Sequence, residues 1–437
     1  MGHLVGKDIF RQLGRKIDGL EMRAPWNAQL HAILKELYSD EEADLIVRMP
    51  SGLSSFAEVQ KATGCRRNEL QRLLDGLTAK GLVMDLWVGE EYKYVPSPMV
   101  IGIFEFTMMQ SGPKAASKVR ARLFQDYLGG DGTFLAANFG GGEQVSFVRA
   151  LPHEEALKSE EYVEILDYEK ASAIIEQSDR FAIGLCSCRH EKLHLDEKQC
   201  DVPLEGCSQF GFAADFMIRH KLAREVGRSE MRDNFARSRE LGLVLSADNV
   251  RKDVKFVCHC CACCCNVLTA VSTYGYPNAL VTSTFLAGIE AAACVGCGNC
   301  AKACPIDAMA MIPDAQAQRK LKLSPRVDSA ACLGCGVCAL QCPTRACRLV
   351  KREQRVIHPE TTFERVILQC LEKGTLQNQI FADPRRLDQK FLRALVGGFL
   401  RLPAVKKALM SDVLRSRFLR SIEEGAAKQG RGWVTQL

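Results

Sequence analysis

The sequence predicts an α+β, multidomain chain, and three observations carry that reading. Capped amphipathic helices lead into a tight hairpin within the first hundred residues, one cysteine phrase occurs twice between residues 293 and 346, and a tail of alternating apolar and basic residues has helical spacing. The expected divisions are 1–98, 99–185, 186–288, 289–350 and 351–437.

In the first division Ser39 with Glu42, and Ser55 with Glu58, form capping boxes; the second opens FAEVQKAT, which Gly64 closes. RRNELQRLLDGLTAK then places Leu70, Leu73, Leu74 and Leu77 on one helical face, with Gly81 as its stop. LVMDLW and YKYV flank Gly89-Glu90-Glu91 as a hairpin. Helix, turn, helix and two-stranded wing, in this order, resemble a winged-helix domain. DNA binding would draw on Arg66, Arg67, Asn68, Arg72 and Lys80. Glu69, Asp75, Glu90 and Glu91 counter that charge, so a docking or structural role is expected and DNA is not an expected partner.

Residues 99–185 are expected to form an α/β scaffold. PSPMVIGIFEFTMM is an apolar, β-prone run and SKVRARLFQDYL is helical; VSFVRALP, YEKASAIIEQSD and FAIGLC follow as strand, helix and strand. No phosphate loop, dinucleotide fingerprint or Ser-His-Asp constellation stands here.

The composition is that of an ordinary globular protein except for its 21 cysteines, of which only Cys65 precedes Cys186. A net charge of +6 is too small to indicate nucleic-acid binding by itself. The opening MGHLVGKDIFRQLGRK lacks an apolar signal core, so the expected setting is a reducing cytoplasm under oxygen-poor conditions. The uncharged stretch Phe256–Ile289 carries six cysteines with Asn266, Pro277 and Asn278, which fits burial around a cofactor better than a membrane span.

The third division is the α/β cysteine-rich part. Cys186, Cys188, Cys200 and Cys207 are enough for one cluster, and Cys258, Cys260, Cys261, Cys263 and Cys264 complete it or hold another; structural zinc is the alternative. Adjacent side chains diverge, so some of the six cysteines in CHCCACCC are expected to be structural. Arg189 is placed to bind the cofactor, balancing thiolate charge or hydrogen-bonding a sulfide. His190, His194 and His259 are read as polar neighbours before ligands, and Cys65 and Cys370 as buried small hydrophobes.

The fourth division holds the repeated phrase: ACVGCGNCAKACPIDA, then ACLGCGVCALQCPTRA. Each reads CxxCxxCxxxCP, in which three close thiolates hold one cubane and the fourth, before proline, holds its neighbour. Cys294, Cys297, Cys300 and Cys342 are thus assigned to one 4Fe-4S cluster, and Cys332, Cys335, Cys338 and Cys304 to the other. Zinc knuckles and disulfides do not use this spacing. Ala293, Ala301 and Ala308 match Ala331, Ala339 and Ala346, as in an internal duplication, and Cys347 takes the place of Met309, an apolar lining position. These residues resemble bacterial two-cluster ferredoxins, whose members carry single electrons. With PMVIGIFEF, CSCRH, CDVPLEGC and CHCCACCCN in order before it, the chain to about residue 350 is similar to a group of 4Fe-4S dicluster proteins of anaerobic bacteria. That resemblance implies electron transfer without naming a partner.

From Pro384 to Arg420 an amphipathic helix pair is expected, with bends at Gly397, Gly398 and Pro403. Phe391, Leu395 and Phe399 interleave with Arg385, Arg386, Lys390, Arg393, Arg401, Lys406, Lys407, Arg415 and Arg417, which suits a cap on the cluster domain, an acidic partner or peripheral contact with the inner membrane face. The function expected is single-electron transfer through two 4Fe-4S clusters and an additional cluster, with oxidoreductase subunits as redox partners. A reductase centred on the middle cysteines and a redox-responsive DNA-binding regulator are the alternatives.

Overall fold

The computed structural model describes residues 8–111, 117–157, 166–314, 322–353, 358–381, 387–428 and 430–436. Leucine spacing and capping build its first unit. Helices Asp40–Arg48, Phe56–Thr63 and Arg67–Ala79 frame a three-stranded sheet of β1 (Ser54–Ser55), β2 (Val83–Val88) and β3 (Glu91–Pro96), ordered β1-β3-β2. Both capping boxes are present, each serine accepting an N3 amide while the N3 glutamate accepts the serine's own. Leu70, Leu73, Leu74 and Leu77 are buried together. The hairpin is docked: Arg219 binds the Asp85 carboxylate at 2.8 Å and lies over the Tyr92 ring, and Lys93 lies over the Trp433 ring. Arg72 of the preceding helix and Lys80 at its C-terminal cap pair with Glu41 and Glu42.

The run after the hairpin is not a strand. Met99–Met108 turns and becomes helical, with Met99, Ile103, Phe104 and Met108 buried at helical spacing. Ile101 takes a left-handed φ of 53°, and the Glu105 carboxylate accepts the Gly102 amide at 2.9 Å, capping the turn. Tertiary burial of one helical stripe has overridden the β propensity of Val100, Ile101 and Ile103.

The middle of the chain is one six-stranded sheet: β4 (Val148–Leu151), β5 (Phe181–Leu185), β6 (Glu205–Phe210), β7 (Ala223–Val226), β8 (Val244–Asp248) and β9 (Phe256–Cys260). The order is β4-β8-β9-β6-β5-β7 and every pairing is antiparallel. Strands from 99–185 and from 186–288 share this sheet, so the two segments fold as one body. One face carries Phe181, Ile183, Leu245 and Val257 against Ile174, Ile175, Met231 and Phe235 of two covering helices. Because side chains alternate along a strand, the residues between them face the other way. Cys207, Gln209, Ser246, Phe256, Cys258 and Cys260 all line one cavity there.

The repeated phrase lies between two strand pairs, β10 (Phe285–Ile289) with β13 (Cys347–Lys351) and β11 (Met309–Pro313) with β12 (Leu323–Val327). The tail forms helices Thr362–Lys373, Leu376–Ile380, Leu387–Leu400, Pro403–Met410 and Asp412–Lys428. Gly397 and Gly398 lie inside a helix, and Pro403 opens the next one, the position where its missing amide costs nothing. Pro384, Arg385 and Arg386 fall outside the described residues. Cys65 and Cys370 are buried. Among the described residues no helix is long and apolar enough to cross a membrane.

Candidate metal centres

Two small cavities occupy the repeat. Cys294, Cys297, Cys300 and Cys342 line the first, and Cys304, Cys332, Cys335 and Cys338 the second, so each cavity takes three cysteines from one phrase and one from the other. The amides of Ala308 and Cys347 donate to the Sγ atoms of Cys304 and Cys342 at 3.2 and 3.3 Å, four residues on in the first copy and five in the second. Met309 lines the second cavity where Cys347 lines the first. Gly334 has φ 69° and could not carry a side chain, since a Cβ would lie 2.1 Å from the Phe285 carbonyl oxygen. Cys297 is exposed, while Cys332, Cys335 and Cys338 are buried; the first cavity is nearer the surface.

The middle cysteines separate into two groups, and the division is not the one their order in the chain indicates. Cys186, Cys188 and Cys207 do not join Cys200. They surround an inner cavity with Cys258, Cys260 and Cys265, the last of which was left out of the expected ligand set. Sulfur-to-sulfur contacts run Cys186 to Cys188 to Cys265 to Cys260, and Cys207 to Cys258. The contact with Cys188 and then burial push the Cys186 thiol well up, and Cys207 does the same to Cys258. Such crowded thiols gain from a cation that takes their protons' place.

The inner cavity has about 80 Å³ of room for a ligand, against about 20 Å³ in each of the two cavities of the repeat. Two buried polar atoms on its lining residues, Arg189 Nε and Ser246 Oγ, have no hydrogen-bond partner among the described residues. Unsatisfied buried donors are rare and ask for an acceptor; thiolates and sulfides are acceptors of that kind. The rest of the Arg189 guanidinium donates to the carbonyls of Pro203 and His259. Burial opposes its charge, but Cys186, Cys261, Cys260 and Cys200 outweigh burial and hold its pKa above the usual value. Glu105 also lines the cavity, and burial raises its carboxyl to about 7. The sequence hid Glu105 in a run that looked like a strand.

Cys200, Cys261, Cys263 and Cys264 form the second group, their four sulfurs within 4.8 Å of one another. Cys200 Sγ lies 3.7 Å from Cys261 and 3.9 Å from Cys264, and Cys263 lies 3.4 Å from Cys264. Hydrogen bonding from Cys264, assisted by Arg189, lowers the Cys261 thiol to about 5. A four-thiolate set of this kind fits a soft or borderline cation.

The histidines serve packing and linkage. His259 faces the covered side of the sheet, bonded to Ser208 Oγ at 2.8 Å and Ser238 Oγ at 2.6 Å, and burial lowers it to about 3. His190 bonds the Met108 carbonyl at 2.6 Å and His194 at 3.1 Å. His153, which the sequence reading did not single out, bridges the two cysteine regions. Its amide donates to the Cys335 carbonyl at 3.0 Å and its ring to the Leu243 carbonyl at 2.8 Å, and Leu243 packs on Cys261 and Cys264.

Compared with known families, residues 293–346 match the 4Fe-4S dicluster domain, so the chain contains a ferredoxin-type iron–sulfur domain. No curated protein and no solved structure matches the chain.

Proposed function

We propose that this chain is an iron–sulfur electron-transfer protein with two 4Fe-4S clusters in its ferredoxin-type domain and a further iron–sulfur centre in the inner cavity. Such clusters, when bound, take up and give back electrons singly. Cys294, Cys297, Cys300 and Cys342 hold the surface cluster, and Cys332, Cys335, Cys338 and Cys304 hold the one beside His153. Cys186, Cys188, Cys207, Cys258, Cys260 and Cys265 supply the ligands of the inner centre, with Arg189 donating to its sulfur and offsetting its negative charge. Cys200, Cys261, Cys263 and Cys264 hold one metal ion that fixes the loop between the two regions.

The observation that carries this reading is the succession of cysteine-lined cavities from exposed Cys297, through buried Cys335 and its His153 link, to Cys261 and Cys264, which line the inner cavity together with the sextet. The partner expected at the exposed end is a redox protein, such as an oxidoreductase subunit in the cytoplasm of an oxygen-poor cell. The N-terminal unit is read as a winged-helix-like docking module, in keeping with its docked hairpin and neutralised helix. A second reading, catalysis at the inner centre, is favoured by the excess space and the two unsatisfied donors there. Reductive titration with electron paramagnetic resonance tests the proposal on anaerobically purified full chain. Signals from the ferredoxin-type pair and from a third, magnetically distinct centre are expected. Signals from the pair alone would confine redox chemistry to residues 293–346 and refute the role of the inner cavity.

A further inference from the structure

Beside the inner cavity lies a second, larger chamber of about 370 Å³, within the range of small-molecule sites. Ile101, Phe106, Gln209, Met217 and Phe256 line both spaces, so one layer of side chains separates them. Gln209 reaches through that layer, its amide donating to Cys207 Sγ at 3.1 Å. The remaining walls come from distant parts of the chain: Leu86 of the hairpin, Phe212 and Phe216 of the helix Gly211–Arg219, and Phe363, Ile422 and Ala426 of the tail. Most are apolar. The charged residues among them include Lys255 and the Arg365–Asp248 pair. Lys255 Nζ lies 3.9 Å over the Phe212 ring, and Arg365 Nε pairs with Asp248 Oδ1 at 3.2 Å.

We propose that this chamber binds a flat, lipophilic carbonyl compound of the quinone class and brings it within electron-transfer distance of the inner centre. The proposal rests on the reading of the inner cavity given above. Apolar walls suit the ring and the first part of a hydrocarbon tail, Lys255 supplies a donor for a carbonyl oxygen, and the shared wall sets the redox distance. In the reaction the quinone gains two electrons, delivered singly along the chain's centres, and two protons from water. Its two C=O π bonds are lost as two O–H bonds form, and it leaves as the hydroquinone.

The tail that walls the chamber also supplies a route for a lipophilic molecule. Phe391, Leu395 and Phe399 stand one turn apart on the helix Leu387–Leu400 and are 70%, 62% and 59% exposed, and Val413 is 74% exposed. Lys406, Lys407, Arg415 and Arg417 accompany them. An apolar stripe with basic neighbours suits the surface of an anionic membrane, where such carriers dissolve.

The test is calorimetric titration of the oxidised full chain with menadione, a naphthoquinone without a hydrocarbon tail, in matched low-percentage cosolvent. One saturable site is expected. Ala213→Trp, which fills the chamber from its helix Gly211–Arg219, and Ala426→Trp, which fills it from the tail, should each weaken binding about tenfold or more. Ala213→Ser should not. Reoxidation of the dithionite-reduced protein by menadione should saturate with concentration and slow in the same variants, while reoxidation by ferricyanide stays unchanged. Absence of binding, or binding indifferent to both tryptophans, would overturn the proposal, as would complete displacement of menadione by an equal concentration of decanoate. If the third paramagnetic signal is present and menadione does not bind, only this proposal fails; if the signal is missing, the reading beneath it fails.

Discussion

Removing Cys263 should cost the protein one metal ion and no sulfide. A cation bound to four thiolates at about 2.3 Å sets its sulfurs about 3.8 Å apart at the corners of a tetrahedron. The contacts among Cys200, Cys261, Cys263 and Cys264 are 3.4, 3.7 and 3.9 Å, the edges of such a tetrahedron. A cubane seats a separate iron behind each cysteine and spreads its thiolates wider. Among the described residues, this quartet alone gathers its ligand atoms within 4.8 Å, and neither ferredoxin-type set does. Cys261 and Cys264 also line the inner cavity, but Cys263 does not, so Cys263→Ala touches the quartet alone. Tetrathiolate sites bind with about 10–16 kcal/mol; an equal share of about 3–4 kcal/mol for one ligand is roughly a hundred- to thousand-fold in affinity. After dialysis against a chelator, plasma emission spectrometry alongside acid-labile sulfide analysis should find one zinc or iron fewer per chain and unchanged sulfide. Loss of iron and sulfide together, about four of each, would refute the single-ion geometry and make the quartet a cluster site.

Substitutions at four other residues probe the remaining sites. Cys342→Ser should alter the paramagnetic signal of the surface cluster although the residue sits in the second phrase, and Cys304→Ser should alter the buried one; the reverse pairing would contradict the two cavities. Arg189→Met should lower the inner centre's potential by about 50–100 mV in a redox titration, the scale of one charge at about 10 Å and an effective dielectric of about 20, while Arg189→Lys should retain it. Burial lowers Lys373 to about 8, so between pH 8 and its ordinary value near 10.5 the unfolded chain holds a proton that the folded chain lacks. Stability should therefore rise with pH across that window. Lys373→Met should raise the urea midpoint at pH 7, by up to about 3 kcal/mol in stability, and the gain should shrink toward pH 10; an equal gain at both pH values would show that charge is not the cause.

The ferredoxin-type domain was legible because its ligands are contiguous, repeated and punctuated by glycines with positive φ. The N-terminal helices were legible because serine-glutamate caps and leucine spacing are local signals. The middle site was not, since its partition depends on tertiary placement. Cys200 meets Cys261 across 61 residues. Strand β9 aims Cys258 and Cys260 into the inner cavity, and the turn after it carries Cys261 and Cys263 toward Cys200 before Cys265 returns at the head of the helix Asn266–Ser272. The alternation within VCHCC, cysteine on even positions and His259 between them, was the available signal for the strand. Nothing local marked Glu105 or His153, because Glu105 acquires its cavity, and His153 its partners, from segments far along the chain. The chamber beside the inner cavity is likewise assembled from the hairpin, the sheet and the tail.

Iron, zinc and acid-labile sulfide counted per chain in anaerobically purified protein test the central claim most directly. The two 4Fe-4S clusters proposed for the ferredoxin-type domain would account for about eight irons and eight sulfides. A further excess of both, with one metal ion beyond the sulfide-bearing clusters, is the result this account predicts. Eight irons and eight sulfides with nothing more than zinc beside them would contradict it, and would reduce the cysteines from Cys186 to Cys265 to a structural site.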